Sequence, residues 1–196
     1  YSRVTEMIRF LSESDFNQPV QDWKLPANLR SMSLFLRSTP FNQPVENWVL
    51  PADLRNMSGF LSESSFNQPI ENWVLPERLE ALHYFLYKTP CNQPLGGFNI
   101  KNVRSLSYML AHSKISPENY ALTLIGWANR AWNNGENDGV QKNVSFGAQE
   151  RKFSPDTFEN VFSLPDQTPQ FTDAPSARNF LVETMGWTII DAGATA

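Results

Sequence analysis

The sequence predicts an α/β solenoid of short parallel strands and short helices, closed by an irregular α/β C-terminal cap. Three observations carry that prediction. The first is a phrase that returns at a fixed step: FNQPVQDW from Phe16, FNQPVENW from Phe41, FNQPIENW from Phe66 and CNQPLGGF from Cys91, each 25 positions after the last. A constant period of this size is the signature of stacked repeats that share one continuous core. The second is a set of apolar columns running Leu29, Met32, Phe35, Leu36, then Leu54, Met57, Phe60, Leu61, then Leu79, Leu82, Phe85, Leu86. The spacing i, i+3, i+6, i+7 predicts a short helix over 29–36, 54–61 and 79–86, each entered through Pro26, Pro51 or Pro76. The third is alternation by two at Trp23/Leu25, Trp48/Leu50, Trp73/Leu75 and Phe98/Ile100, which predicts a strand with those side chains inward.

On this reading residues 1–115 hold four and a half coils, and 116–196 form a capping region continuous with them. The fourth coil drifts: Phe98 replaces the tryptophan, Gly96–Gly97 replaces Glu-Asn, and Val103, Leu106 and Met109 follow Leu79, Leu82 and Phe85 by 24 residues. In the cap, Ser116 and Pro117 open a helix whose face is Tyr120, Leu124, Trp127, Ala128 and Ala131. Residues 143–148 read as a strand, 155–162 as a short helix, and 174–186 as a helix closed by Gly186. Trp187–Ile190 repeats the W-x-apolar pattern and is expected to extend the sheet.

The repeated phrase reads as structural. The Phe before it and the apolar residue after it anchor a tight connection, and Pro holds the preceding Gln extended. Inward-facing Asn17, Asn42, Asn67 and Asn92 are expected to form a ladder that satisfies main-chain groups of their own and the next coil. The outward strand positions Asp22, Lys24, Asn47, Val49, Asn72, Val74 and Asn99, with Gly97, then become the candidate binding face. That face is small, nearly neutral and partly apolar, which suits a protein or a glycan on a cell surface better than a charged ligand. Trp132 with the Asn-rich loop after it, and the aromatic-bearing stretch 153–171, are a second candidate surface.

FNQP(V/I)xxW with L-x-x-M-x-x-F downstream, at a step of 25, resembles the BspA-like surface repeat, also described as the mycoplasma-lipoprotein-type repeat. YALTLIGWA, NVSFGA and ARNFLVETMGWTIIDAG are similar to the C-terminal end of such proteins, so the resemblance spans nearly the whole chain. It implies a leucine-rich-repeat-like fold and a role in adhesion or recognition, on a secreted or surface-displayed protein or a virion. The chain departs from the family pattern where Lys24, Val49 and Val74 replace a strand Asp, and where PANLRS, PADLRN and PERLEA replace the usual turn. Both changes alter the outer surface rather than the scaffold.

Other classes fit poorly. Net charge is −4 and no Lys/Arg cluster occurs, which argues against a nucleic-acid partner. No stretch approaches the ~20 apolar residues of a membrane span. The chain opens at Tyr1 inside a repeat, so the remainder of a longer chain is an expected partner. Cys91 stands where three sibling repeats carry Phe and reads as a small buried hydrophobe. His83 and His112 have no metal ligand at zinc spacing, and no phosphate loop or nucleophile motif occurs, so neither an enzyme nor a cofactor is expected. The loop 133–139, NNGENDG, imitates the start of a calcium loop but would place Ser145 where a bidentate Glu is required. A purely structural stalk is the alternative to recognition, and a glycan-active enzyme a distant third.

Overall fold

The computed structural model describes residues 4–132 and 140–196. They form a mixed α/β structure with few short helices and one small parallel sheet: β1 (Ser105–Leu106), α1 (Pro117–Trp132), β2 (Ser145–Gly147), α2 (Ala174–Asn179) and β3 (Thr188–Ile190). The sheet order is β1-β2-β3, both pairs parallel. A ladder of single parallel bridges leads into it from the repeats, Glu6 to Ser31 to Asn56 to Ala81 to Ser105. One hydrogen-bonded column thus runs from the first repeat to β3.

That column lies where the sequence predicts helices, and no helix forms there. Residues 29–36, 54–61 and 79–86 are trains of tight turns. Every second N–H donates to the next repeat: Met32 to Asn56, Leu34 to Ser58, Leu36 to Phe60 and Ser38 to Ser62, at 2.8–2.9 Å. In the following repeat the intervening N–H groups donate three residues back, as Phe60 does to Met57 and Ser62 to Gly59. The backbone turns left-handed every fourth residue, at Leu34 and Ser38, Gly59 and Glu63, Tyr84 and Lys88. Each such non-glycine residue costs about 1–2 kcal/mol, which the bonds to the next repeat offset. A turn train with a four-residue step buries Met32, Phe35, Leu36 and Thr39. That spacing mimics a helix, which explains the misassignment.

The W-x-L segments are corrected in the same way. Trp48 and Leu50 point in and Val49 out, as the alternation predicts, but these extended segments form no sheet with one another. The repeats fan apart on this side. Ring centroids are 4.8 Å apart at Tyr84–Tyr108 beside the bridges, 5.6 Å at Phe35–Phe60 in the core and 6.5 Å at Trp23–Trp48. A sheet needs strands ~4.8 Å apart, so a longer group must bridge the gap. The indole N–H does so: Trp48 donates to the Val20 carbonyl at 2.8 Å and Trp73 to the Val45 carbonyl at 2.9 Å. This is why the column calls for Trp rather than Phe.

The asparagine ladder exists but faces solvent rather than inward. Asn17 Oδ1 accepts the Asn42 N–H, Asn42 the Asn67 N–H and Asn67 the Asn92 N–H, each at 2.9 Å. Gln43 and Gln68 side chains donate to the asparagine below them. The cap continues the pattern with different residues, since Asn92 Oδ1 accepts from the Ser116 N–H and from Asn119 Nδ2.

Helix α1 then lies directly on the fourth repeat. Trp127 donates to the Leu95 carbonyl at 2.9 Å, as the repeat tryptophans do, and Thr123 Oγ1 accepts the Leu95 N–H. The approach is backbone to backbone: a Cβ on Gly126 would stand 2.5 Å from Gly96 Cα. The Gly96 that looked like sequence decay is therefore a seat for the helix. Past Asn179 the turns of α2 widen, Met185 N–H reaching the Phe180 carbonyl, before Gly186 at φ +69 ends them. The expected helix at 155–162 is absent; Thr157 instead makes a single antiparallel bridge to Asp173. Phe158, Val161 and Phe162 have the apolar spacing of a helix. The Phe158 N–H, however, donates to the Thr172 carbonyl and the Phe162 carbonyl accepts from Asn129 Nδ2, so the main chain pairs with neighbouring segments instead of with itself.

A polar lock joins α1, α2 and the tail. Asp191, its side chain 1% exposed, accepts from Arg178 Nε and Nη2 at 3.0 Å and from the Tyr120 hydroxyl at 2.8 Å. Burial, then the Asp191 carboxylate, pushes the Tyr120 phenol well above its ordinary value of 10.0. A raised acid stabilises the fold fully below its unfolded pKa and less as pH rises through the folded one. Tyr120→Phe should therefore cost ~2 kcal/mol at neutral pH and remove this residue's share of the stability lost above pH ~10. Urea melts across that range check both signs, and an unchanged alkaline slope counts against the lock.

Candidate binding surfaces

Two faces of the repeats carry side chains that the core does not use. The first is the face expected from the sequence. Its column sits on the extended segments, and the backbone alternation there turns one residue out for every Trp and Leu turned in. Asp22, Lys24, Asn47, Val49, Asn72 and Val74 are exposed, and Asn99 is half-buried with its Oδ1 accepting the Lys101 N–H. The structure brings all seven together. Asp22, Lys24, Asn47 and Val49 line a shallow groove of about 740 Å³. Asn47, Val49, Asn72, Val74 and Asn99 line the next, of about 680 Å³. Val49 and Val74 are 85% and 84% exposed, far more than any other large apolar side chain described.

The second face lies on the turn trains and was not anticipated. The left-handed column there reads Arg9, Leu34, Gly59, Tyr84, Tyr108. Tyr108 stacks on Tyr84 at 4.8 Å with the rings 6° from parallel. Tyr87 and His83 meet Tyr84 edge-on, and Lys88 Nζ stands 5.0 Å from the Tyr87 ring centre. A cavity of about 410 Å³ opens over Gly59, between Leu34 and Tyr84. Around it stand Arg37, Asn56, Ser58, Ser62, Glu63 and His83. Arg37 bonds Glu63 Oε1 at 3.1 Å and Glu13 Oε1 at 3.1 Å, spanning three repeats. His83 Nδ1 is 3.0 Å from Ser58 Oγ, and burial holds its pKa below the ordinary 6.5. The signal for this face was in the aligned repeats: one column reads Leu, Gly, Tyr, Tyr, between a polar column (Ser33, Ser58, His83, Ser107) and an apolar one (Phe35, Phe60, Phe85, Met109). Only an outward-facing turn gives that column meaning.

The remaining candidates disperse. Trp132 packs edge-on against Phe171 and Phe180 rather than standing free on the surface. The loop 133–139 considered for calcium lies outside the described residues. Among the described residues no group of three or more His, Cys, Asp or Glu could hold a metal ion. Cys91 is buried, and burial pushes its thiol up to about 12, so no reactive thiolate exists there near neutral pH. His112 Nδ1 lies 2.9 Å from Glu150 Oε2, at the surface.

Sequence comparison places the chain in a family over the same region. The family described as Mycoplasma protein of unknown function, DUF285, matches residues 1–73 and again residues 52–122. Together the two matches take in residues 1–122, more than half of the chain's 196 residues. The chain belongs to this family. Family membership thus rests on the repeats and on the start of α1, and is consistent with the BspA-like resemblance of the FNQP phrase. No curated protein and no solved structure matches the chain. Among the described residues no helix is long and apolar enough to cross a membrane.

Proposed function

We propose that this family member is a non-catalytic recognition module, a leucine-rich-repeat-like solenoid that displays one face to a partner on a cell surface. The observation that carries the reading is the pair Val49 and Val74. Two valines 85% and 84% exposed, in register on adjacent repeats and flanked by grooves, leave apolar area in water that partner binding would remove. Asp22, Lys24, Asn47, Asn72 and Asn99 around them supply a polar rim of mixed sign, as interfaces with proteins and glycans have. The family name, the mycoplasma-type repeat and a stack of rigid coils suit a protein displayed outside the cell, on a cell surface or on a virion.

The test is binding of the labelled chain to a panel of cultured host cells. The wild type is expected to bind saturably. Lys24→Glu/Val49→Glu/Val74→Glu, three changes at exposed positions, should lose ~10-fold or more in affinity while keeping the same melting temperature. Absence of saturable binding by the folded wild type would replace the recognition reading with that of a structural stalk whose contacts lie within its own assembly.

A further inference from the structure

We propose that the slot over Gly59 is a binding site for one ring of an uncharged pyranose sugar, stacked on the free face of Tyr84. The column Leu34, Gly59, Tyr84, Tyr108 advances one repeat at a time, and only Gly59 in it has no side chain. Tyr108 covers one face of the Tyr84 ring at 4.8 Å, so the other face looks across the gap toward Leu34. Two repeat steps at ~4.8 Å give ~10 Å between the flanking side chains, the thickness of one inserted ring and its two contacts. The Leu34 side chain leans into that space, its Cδ2 standing 2.5 Å from where a Cβ on Gly59 would be, so a bound ring requires Leu34 to rotate away.

The rim decides what kind of ring fits. A sugar has apolar C–H faces and hydroxyls around its edge, each hydroxyl both donor and acceptor. The slot matches this with an aromatic face and, around it, Ser58 and Ser62 hydroxyls, the Asn56 amide, the His83 imidazole and the Arg37–Glu63 pair. Arg37 is already compensated by Glu13 and Glu63, so the site offers no unmatched positive charge to an acidic sugar. An aromatic peptide side chain would fill the slot but leave the polar rim unpaired, at a cost in affinity. The slot lies on the turn trains, away from Val49 and Val74, so the two sites are separable.

The experiment is calorimetric titration of the full chain with five probes: hexasaccharides of β-1,4-glucose, of β-1,4-N-acetylglucosamine and of α-mannose, a galacturonate hexamer as the acidic control, and a Trp-containing tripeptide as the peptide control. Amide chemical shifts of Gly59 and Tyr84 are followed in the wild type. At least one neutral probe should bind and shift both amides. Tyr84→Ala and Gly59→Leu should each weaken it tenfold or more, and Val49→Glu/Val74→Glu should leave it unchanged. Gly59→Leu fills the slot with a side chain at φ +62, where Leu34 already stands at φ +57 one repeat earlier, at a cost in backbone strain and with Leu34 Cδ2 pushed aside, so its folding is checked by its melting temperature. The proposal is overturned if no neutral probe binds at roughly 10 mM. It is equally overturned if the galacturonate hexamer or a Trp-containing tripeptide is preferred, or if the two amides do not respond. Cell binding lost only with the Val49/Val74 variant, and sugar binding lost only with the Gly59 and Tyr84 variants, would tell the two functions apart.

Discussion

Gly126→Ala is expected to destabilise the protein by about 2 kcal/mol, although Gly→Ala inside a helix ordinarily stabilises by ~1 kcal/mol. The reversal comes from a single contact. A Cβ on Gly126 would stand 2.5 Å from Gly96 Cα, 2.6 Å from its carbonyl oxygen and 2.7 Å from its carbonyl carbon. All three are main-chain atoms that no rotamer change can move. The helix must either lift off the fourth repeat or drag it, and lifting breaks the Trp127 bond to Leu95 and the Leu95 bond to Thr123. For a chain of this size the melting temperature should fall by about 4–8 °C. A melting temperature equal to or above that of the wild type would show that α1 does not rest on the repeat backbone.

Asn129→Ala should cost more, about 3 kcal/mol, because one buried amide anchors a whole segment. Its Oδ1 accepts the Gln170 and Phe171 N–H groups at 2.9 and 2.8 Å, and its Nδ2 donates to the Phe162 and Phe171 carbonyls. The Gln167 side chain also donates to the Asn129 carbonyl, at 3.0 Å. The stretch 162–171 has no helix or strand of its own, so its main-chain groups depend on these bonds. Deleting the side chain leaves four of them unpaired. The expected result is new proteolytic cleavage within 162–171 and faster hydrogen exchange at Gln170 and Phe171, with exchange in the repeats unchanged. Retained protection at both amides would refute the anchoring role.

The contrast between these two residues shows how much the sequence alone could say. Gly126 and Asn129 sit on a helix whose start at Ser116 and Pro117 is legible from capping chemistry, and Ser116 Oγ does accept the Asn119 N–H. Nothing in the string, however, says that Gly126 faces another glycine or that Asn129 serves a segment forty residues later. In the repeats the period and the inward columns were legible, since Phe41, Phe66, Trp48 and Trp73 are all buried. The exposed column Asp22 to Val74 was legible too, because alternation about Trp and Leu requires it.

What the sequence by itself determined is which residues face the core and how often the pattern returns. Burial is set by side-chain chemistry, and a 25-residue period repeats that chemistry visibly. Only the tertiary structure decided which backbone groups pair. A turn train with a left-handed residue every fourth position and a helix present the same apolar spacing, and differ in whether an N–H bonds its own segment or the next repeat. The slot over Gly59 belongs to the second kind: a missing side chain becomes a cavity only once stacking has placed Leu34 and Tyr84 on either side of it.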